Sequence, residues 1–376
     1  MLKIKVDEGL DKFVKIKVVG VGGAGCNALG RMAESLSGAD LIGINTDSQA
    51  LANCNVPIKV QIGLRITGGS GCGGDPQKGK FSANEDKEEI AKLLKGAKVC
   101  FLTTGLGGGT GTGASPIVAR IAREQGALIV AVVTTPFAFE GVKRMNQAEE
   151  GLSELRENSD TLIHIPNEKL FEVADKKTTI LDAFRKIDGI LCQGVSSIVT
   201  LITQPGVINL DFADIRAVME NGGESMMGVG RGKGPERAVS AAKEAVTNHL
   251  LEGIEISSAK NVLVSIAGSS DLGLHEVKDA ARTINSALSP MVNSIFGAVI
   301  DQSLDDEIKI TVIATGLFNK KEMSPSLQKK SHSRKGKKEK EPSLFGDVET
   351  TIIDGEDRDI PAYLRKRQKE KKTEEG

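Results

Sequence analysis

No charge of one sign dominates this 376-residue chain: 49 Lys and Arg stand against 50 Asp and Glu, a formal net charge of -1. A near-neutral chain has no global basic field to hold nucleic acid or an anionic membrane, so neither nucleic-acid binding nor direct membrane insertion is expected. Cysteine is sparse. Cys26, Cys54, Cys72, Cys100 and Cys192 form no C-x-x-C pair and have no histidines at metal-ligand spacing, so they read as reduced cytosolic thiols. The four histidines, His164, His249, His275 and His332, stand alone and are assigned no chemistry. The opening MLKIKVDEGLDKF is charged throughout and lacks the apolar core of an export signal, and no later apolar run reads as long enough to cross a bilayer. The expected location is the cytoplasm. A G-x-x-x-x-G-K-[ST] motif is also missing, which excludes a P-loop.

What is present is length and glycine. The chain exceeds one ordinary compact core, so two packed domains and a tail are expected. Its 43 glycines are clustered, not periodic, which points to several specialised loops. Residues 15–21 (KIKVVGV) predict a strand that runs into glycines and then a helical stretch from Asn27. The same rhythm recurs at 40–45, 99–104 and 127–134. Strands alternating with helices imply an α/β fold whose mostly parallel sheet is covered on both faces, with ligands beyond the carboxyl ends of the strands.

Residues 178–203 predict a long apolar helix, interrupted by Gly189 and Gly194 and stopped at Gln204, Pro205 and Gly206. Beyond it, 236–250 and 274–288 read as helices and 262–267, 294–300 and 308–315 as strands, a second and smaller α/β domain. The segmentation is therefore an N-terminal extension 1–14, a nucleotide domain 15–177, a central helix 178–203 and an α/β domain 204–318. A Lys-, Ser- and Glu-rich linker follows at 319–357, then a terminal segment 358–376 containing DIPAYLRKR.

Three glycine clusters carry the chemistry. The strongest is GGGTGTG, made of Gly107, Gly108, Gly109, Thr110, Gly111, Thr112 and Gly113, between a strand and a helix expected to open at Ala114, Ser115 and Pro116. Glycines let backbone N–H groups approach phosphate oxygens, Thr110 and Thr112 add hydroxyl donors, and Pro116 suits a first helical turn. No lysine lies in this loop, so Mg²⁺ with retained waters is expected to neutralise the phosphates. The first cluster, Gly20 to Gly25, fits G-x-G-x-x-G with Asp47 downstream, as a dinucleotide site requires. An NAD-dependent oxidoreductase is thus a rival, but it has no use for a third cluster at 68–74, GGSGCGG.

GGGTGTG is the tubulin signature, and with GVGGAGCNA near the N-terminus and NLDFADI after the long helix the chain resembles FtsZ, the family of bacterial tubulin-like division GTPases. The resemblance spans residues 15–316 and returns in DIPAYLRKR. It implies a tubulin-like fold with a Rossmann-type GTPase domain, GTP and GDP as ligands, and head-to-tail filaments at the division site. It also implies that Gly22, Gly23, Ala24, Gly25, Cys26 and Asn27 join 107–113 around the phosphates, while Gly71, Cys72, Gly73 and Gly74 meet the γ-phosphate. Glu140, Arg144 and Asn167 would contact ribose and phosphate, Phe184 would stack on the base, and Asp188 would read guanine. A carboxylate accepts from both N1–H and the exocyclic amine of guanine, a donor pair adenine lacks. Without the resemblance, Phe184 reads as an ordinary core aromatic on the long helix.

Asn209, Asp211 and Asp214 would act on the nucleotide of the neighbouring subunit, so that hydrolysis requires assembly. Taken alone, the same residues also read as a helix N-cap with acids in its first turn. A non-hydrolysing GTP-binding scaffold remains a further alternative. Residues 359–367 resemble the family's peptide for membrane anchors and division regulators. Cys72 and Asp75 depart from the family's usual alanine and asparagine, which places an extra acid near the expected γ-phosphate.

Overall fold

The computed structural model describes residues 14–34, 36–173, 177–204, 206–247, 256–317, 352–353 and 356–357. Two compact units are distinguished, Met1–Glu322 and Met323–Gly376. In the second, the described residues form a strand pair, Ile352–Ile353 against Glu356–Asp357. The expected partner-binding segment 358–376, the N-terminal residues 1–13 and most of the expected linker lie outside the described residues.

In the first unit a single ten-stranded sheet runs in the order β3-β2-β1-β4-β5-β6-β7-β10-β8-β9. Its strands are β1 (Ile16–Val21), β2 (Asp40–Asn45), β3 (Ile58–Gln61), β4 (Val99–Gly105) and β5 (Leu128–Thr135), then β6 (Thr161–Pro166), β7 (Gly223–Lys233), β8 (Asn261–Gly268), β9 (Asn293–Ile300) and β10 (Glu307–Thr315). From β3 to β7 every pairing is parallel. β10 then runs antiparallel to both β7 and β8, and β8 pairs β9 in parallel.

The near-continuous apolar runs follow from burial on both faces. Along β5, Leu128, Val130 and Val132 point into one core, shared with the helix Gly22–Met32 and the central helix Ile180–Thr203. Ile129, Ala131 and Val133 point into the other, against Thr110–Glu124 and Val142–Asn158. A third core packs Arg237–Thr247 and Leu274–Ala287 on β8 and β10. Period-two alternation thus divides each strand between two helical layers.

The reading that no segment is long and apolar enough to cross a membrane needs correction. Ile180–Thr203 meets that measure, with a mean hydropathy of 1.2 over its most apolar window. Half of that window is buried inside the protein, because Leu191, Val195, Ile198 and Val199 fill the core beside β5. The helix is apolar in order to serve the sheet, and its C-cap at Gln204 matches the expected stop.

The chain leaves β1 for β2 and β3 and returns to β4 on the opposite side of β1. That reversal opens a crevice beyond the carboxyl ends of β1 and β4, the place where doubly wound sheets bind ligands.

Candidate functional site

β1 passes directly into the helix Gly22–Met32, so the first glycine cluster is the opening turn of this helix and the expected start at Asn27 lies one turn late. The reason is close packing. A Cβ on Gly25 would overlap the carbonyl oxygen of Thr103, and one on Gly22 would lie 2.8 Å from the Gly111 nitrogen. The first cluster is therefore pressed against β4 and the GGGTGTG segment, with Gly23 and Ala24 facing the crevice. Gly22, Gly25 and Cys26 are buried behind that wall and Asn27 is exposed away from it. The Cys26 thiol, whose pKa burial raises far above the ordinary range, hydrogen-bonds the Gly20 and Ile44 carbonyls at 3.7 and 3.8 Å.

GGGTGTG coils earlier than expected too. Its helix, Thr110–Glu124, begins inside the motif, which places Pro116 in the helix interior and not in its first turn. Gly108, Gly109, Thr110 and Gly111 line the crevice. Gly107, Thr112 and Gly113 do not: the Thr112 hydroxyl accepts from Gly107 N–H at 2.9 Å, and Gly113 lies so close to Pro76 that a Cβ would overlap its carbonyl oxygen. Thr112 therefore closes the loop on itself instead of standing in the cradle.

The third cluster lines the same cavity, beside the first two. Gly71, Gly73 and Gly74 have φ of +80, +60 and +78°, a region glycine enters without penalty. The one side chain among them, Cys72, is buried, with its sulfur 3.3 Å from Thr46 Oγ1 and 3.4 Å from Thr110 Oγ1, and those two hydroxyls are 2.6 Å apart. Asp75 does not add an acid to the site. It is the N-cap of Pro76–Glu85, accepting from Gln77 N–H at 2.9 Å, and does not line the cavity. Asp47 also caps a helix, Ser48–Asn53, through Gln49 and Ala50 N–H at 2.9 and 3.0 Å, and it bridges to Ser70 of the third cluster.

These loops enclose a cavity of about 540 Å³, within the usual size of a small-ligand site. At its other end stand Glu140, Arg144, Asn167, Phe184 and Asp188. Glu140 pairs with Arg144 and accepts from Phe137 N–H at 2.9 Å. Asn167 is 7% exposed, yet its Oδ1 has no hydrogen-bond partner, a cost that a ligand donor would remove. Phe184 is 41% exposed on the cavity wall, with its ring edge-on to Phe137 at 5.8 Å, so it is not a core aromatic. Asp188 is nearly buried and accepts from Arg31 Nε at 3.1 Å. Burial pushes its carboxyl above the usual range, against the downward pull of Arg31.

Asn209, Asp211 and Asp214 are outside the cavity. Asp211 is the N-cap of Phe212–Met219: its Oδ1 accepts from Asp214 N–H at 2.8 Å, and Asp214 Oδ2 accepts from Asp211 N–H at 3.3 Å. Asn209 Oδ1 accepts from Gly206 N–H at 2.6 Å. The cap geometry weighed from the sequence is therefore present. Sequence reading missed Thr46 and Arg31, since neither belongs to a glycine cluster and each is recruited through a tertiary contact.

Comparison with known proteins agrees with this arrangement. The GTPase-domain model of the tubulin/FtsZ family matches residues 15–175, and the C-terminal-domain model of the FtsZ family matches residues 223–318. An empty FtsZ dimer from M. jannaschii is 43% identical, with a TM-score of 0.78, covering 81% of this chain and 88% of its own. GDP-bound CetZ1 from Haloferax volcanii, at 20% identity and a TM-score of 0.70, covers 81% of this chain and 95% of its own, and shares the fold. With motif order, strand order and cavity all in agreement, the chain belongs to the FtsZ family of tubulin-like GTPases.

Proposed function

We propose that this GTPase hydrolyses GTP only after head-to-tail assembly, with Asp211 and Asp214 of one copy completing the cavity of the next. The observation that carries the reading is what the cavity lacks. Each of its three wall carboxylates already has a partner: Asp47 caps a helix, Glu140 pairs with Arg144 and Asp188 with Arg31. Asp211 and Asp214 also serve a cap, each through one carboxylate oxygen, but they stand outside the cavity, exposed or half-buried, where a second copy can meet them.

A site completed by a different surface of a second copy is a heterologous contact, which repeats into filaments when it does not close. Solved relatives support this, in the M. jannaschii dimer and in a GTPγS-bound CetZ2 protofilament from Haloferax volcanii. The glycine clusters would hold the phosphates, Asn167 and Glu140 would meet the ribose side, Phe184 would stack on the base and Asp188 would select guanine.

Mg²⁺ fits this site as a cation that arrives with the triphosphate. Among the described residues no group of His, Cys, Asp and Glu is arranged to cage a metal, so phosphate oxygens and water would supply its ligands and it would neutralise their charge. The filament would act in cell division from the cytoplasm, with residues 359–367 docking membrane anchors and regulators. An NAD-dependent reaction is disfavoured because Asp47, the acid such a site needs free, is a helix cap beneath the third cluster.

The test is phosphate release per molecule against protein concentration, with sedimentation in GTP and in GDP alongside. Release near zero below a threshold and rising above it is expected; a rate independent of concentration would remove the shared site.

A further inference from the structure

Arg31 stands in the last turn of the helix whose first turn forms the phosphate wall, and does not itself line the cavity. Its Nε reaches across to Asp188 Oδ2 at 3.1 Å, joining that helix to the central one. The pair is asymmetric: the Arg31 side chain is 44% exposed, the Asp188 side chain 13%. An exposed pair contributes little, but removing the partner of a mostly buried carboxylate leaves a charge with nothing to balance it.

We propose that Arg31 is a positioning residue for guanine selection, holding Asp188 ionised and aimed at the base. The inference rests on the reading that Asp188 recognises guanine. That recognition needs a carboxylate that only accepts, because guanine presents two adjacent donors, N1–H and the exocyclic amine. A protonated Asp188 would set a donor against them.

The surroundings favour protonation. Burial pushes the Asp188 carboxyl up, and Arg31 opposes it. Arg31 is the one charged residue of Gly22–Met32. On the central helix the neighbouring Arg185 pairs with Asp182 at 3.4 Å. Across the cavity Glu140 and Arg144 neutralise each other, and Asp47 is occupied as a cap. Lys186, the other cation of the central helix, is exposed, and the cation that reaches the Asp188 carboxylate is Arg31, which holds its charge.

The experiment measures binding of fluorescent GDP and IDP analogues to the full nucleotide-free chain between pH 5.5 and 8, since IDP lacks the exocyclic amine. In Arg31→Met the pH at which GDP affinity falls should rise by about one unit or more, roughly a tenfold loss on the acidic side, with recovery towards the parent at pH 8. Arg31→Lys should restore the parent profile. Asp188→Asn should lose both the pH dependence and the preference for GDP over IDP.

If Arg31→Met keeps the parent profile and preference while Asp188→Asn loses them, base reading stands and the role of Arg31 falls. A loss in Arg31→Met that is uniform across pH and not rescued by lysine marks a packing role and also overturns the proposal. If Asp188→Asn keeps its preference for GDP, base reading fails and the inference with it.

Discussion

Replacing Asp211 separates two roles that coincide at one residue. As the N-cap of Phe212–Met219 it holds the Asp214 N–H at 2.8 Å, and by the assembly reading it also orients water for a neighbour. Asparagine caps helices about as well as aspartate, so Asp211→Asn should stay within a few tenths of a kcal/mol of the parent, whereas Asp211→Ala should cost about 1 kcal/mol. For a chain of this size that is a fall in melting temperature of roughly 2 °C. Loss of a water-orienting carboxylate is a larger effect, about 10²- to 10⁴-fold in rate, or roughly 3 to 5 kcal/mol of barrier. Asp211→Asn should therefore melt like the parent, bind GTP like the parent, and release phosphate at least a hundredfold more slowly at protein concentrations well above threshold. Asp214→Asn should behave in the same way. Parental turnover in a stably folded Asp211→Asn would reduce this residue to a cap. Lost GTP affinity in Asp214→Asn would place that residue at its own chain's cavity, contrary to its position outside it.

Two glycines of one motif should respond in opposite ways. Gly113→Ala drives a methyl group into the Pro76 backbone and should prevent folding, while Gly108→Ala meets no atom within 4 Å and should keep the parent's melting temperature but bind GTP at least tenfold more weakly. Asp75→Asn retains the cap of Pro76–Glu85, so GTP affinity by equilibrium binding should stay within about twofold; a large gain would mean that the acid does act on the phosphates. His164 bonds Thr135 at 3.0 Å, and burial lowers its pKa from 6.5 to about 4. The unfolded chain thus takes up this proton at a higher pH than the folded one, so the stability involved is complete above pH 6.5 and is lost as pH falls towards 4. In urea unfolding, His164→Gln should lose less stability than the parent across that interval; an equal loss would refute the assignment.

Much of the nucleotide half is legible in the order of its residues. β1, β2, β4 and β5 are buried on both faces, so their apolar runs stand out from the turns that end them, glycine-rich after β1 and β4 and polar or proline-started after β2 and β5. β7 is not legible in that way, because Gly228, Gly230 and Gly232 interrupt it; a Cβ at Gly230 or Gly232 would overlap the backbone of Arg237–Thr247, which lies directly on the strand. Local spacing also misplaces two helix starts, since glycines that look like loop residues can coil once neighbouring backbone holds them. The polar contacts are hidden for another reason. Arg31 and Asp188 are separated by 157 positions, and Thr46, Cys72 and Thr110 come from three segments far apart in the chain. Residue types and their local order determined where strands end, where backbone can approach phosphate, and which acids are available. Which acid is held by a cation from a distant helix, as Asp188 is by Arg31, was decided by tertiary packing, because a carboxylate takes its role from the donors that surround it.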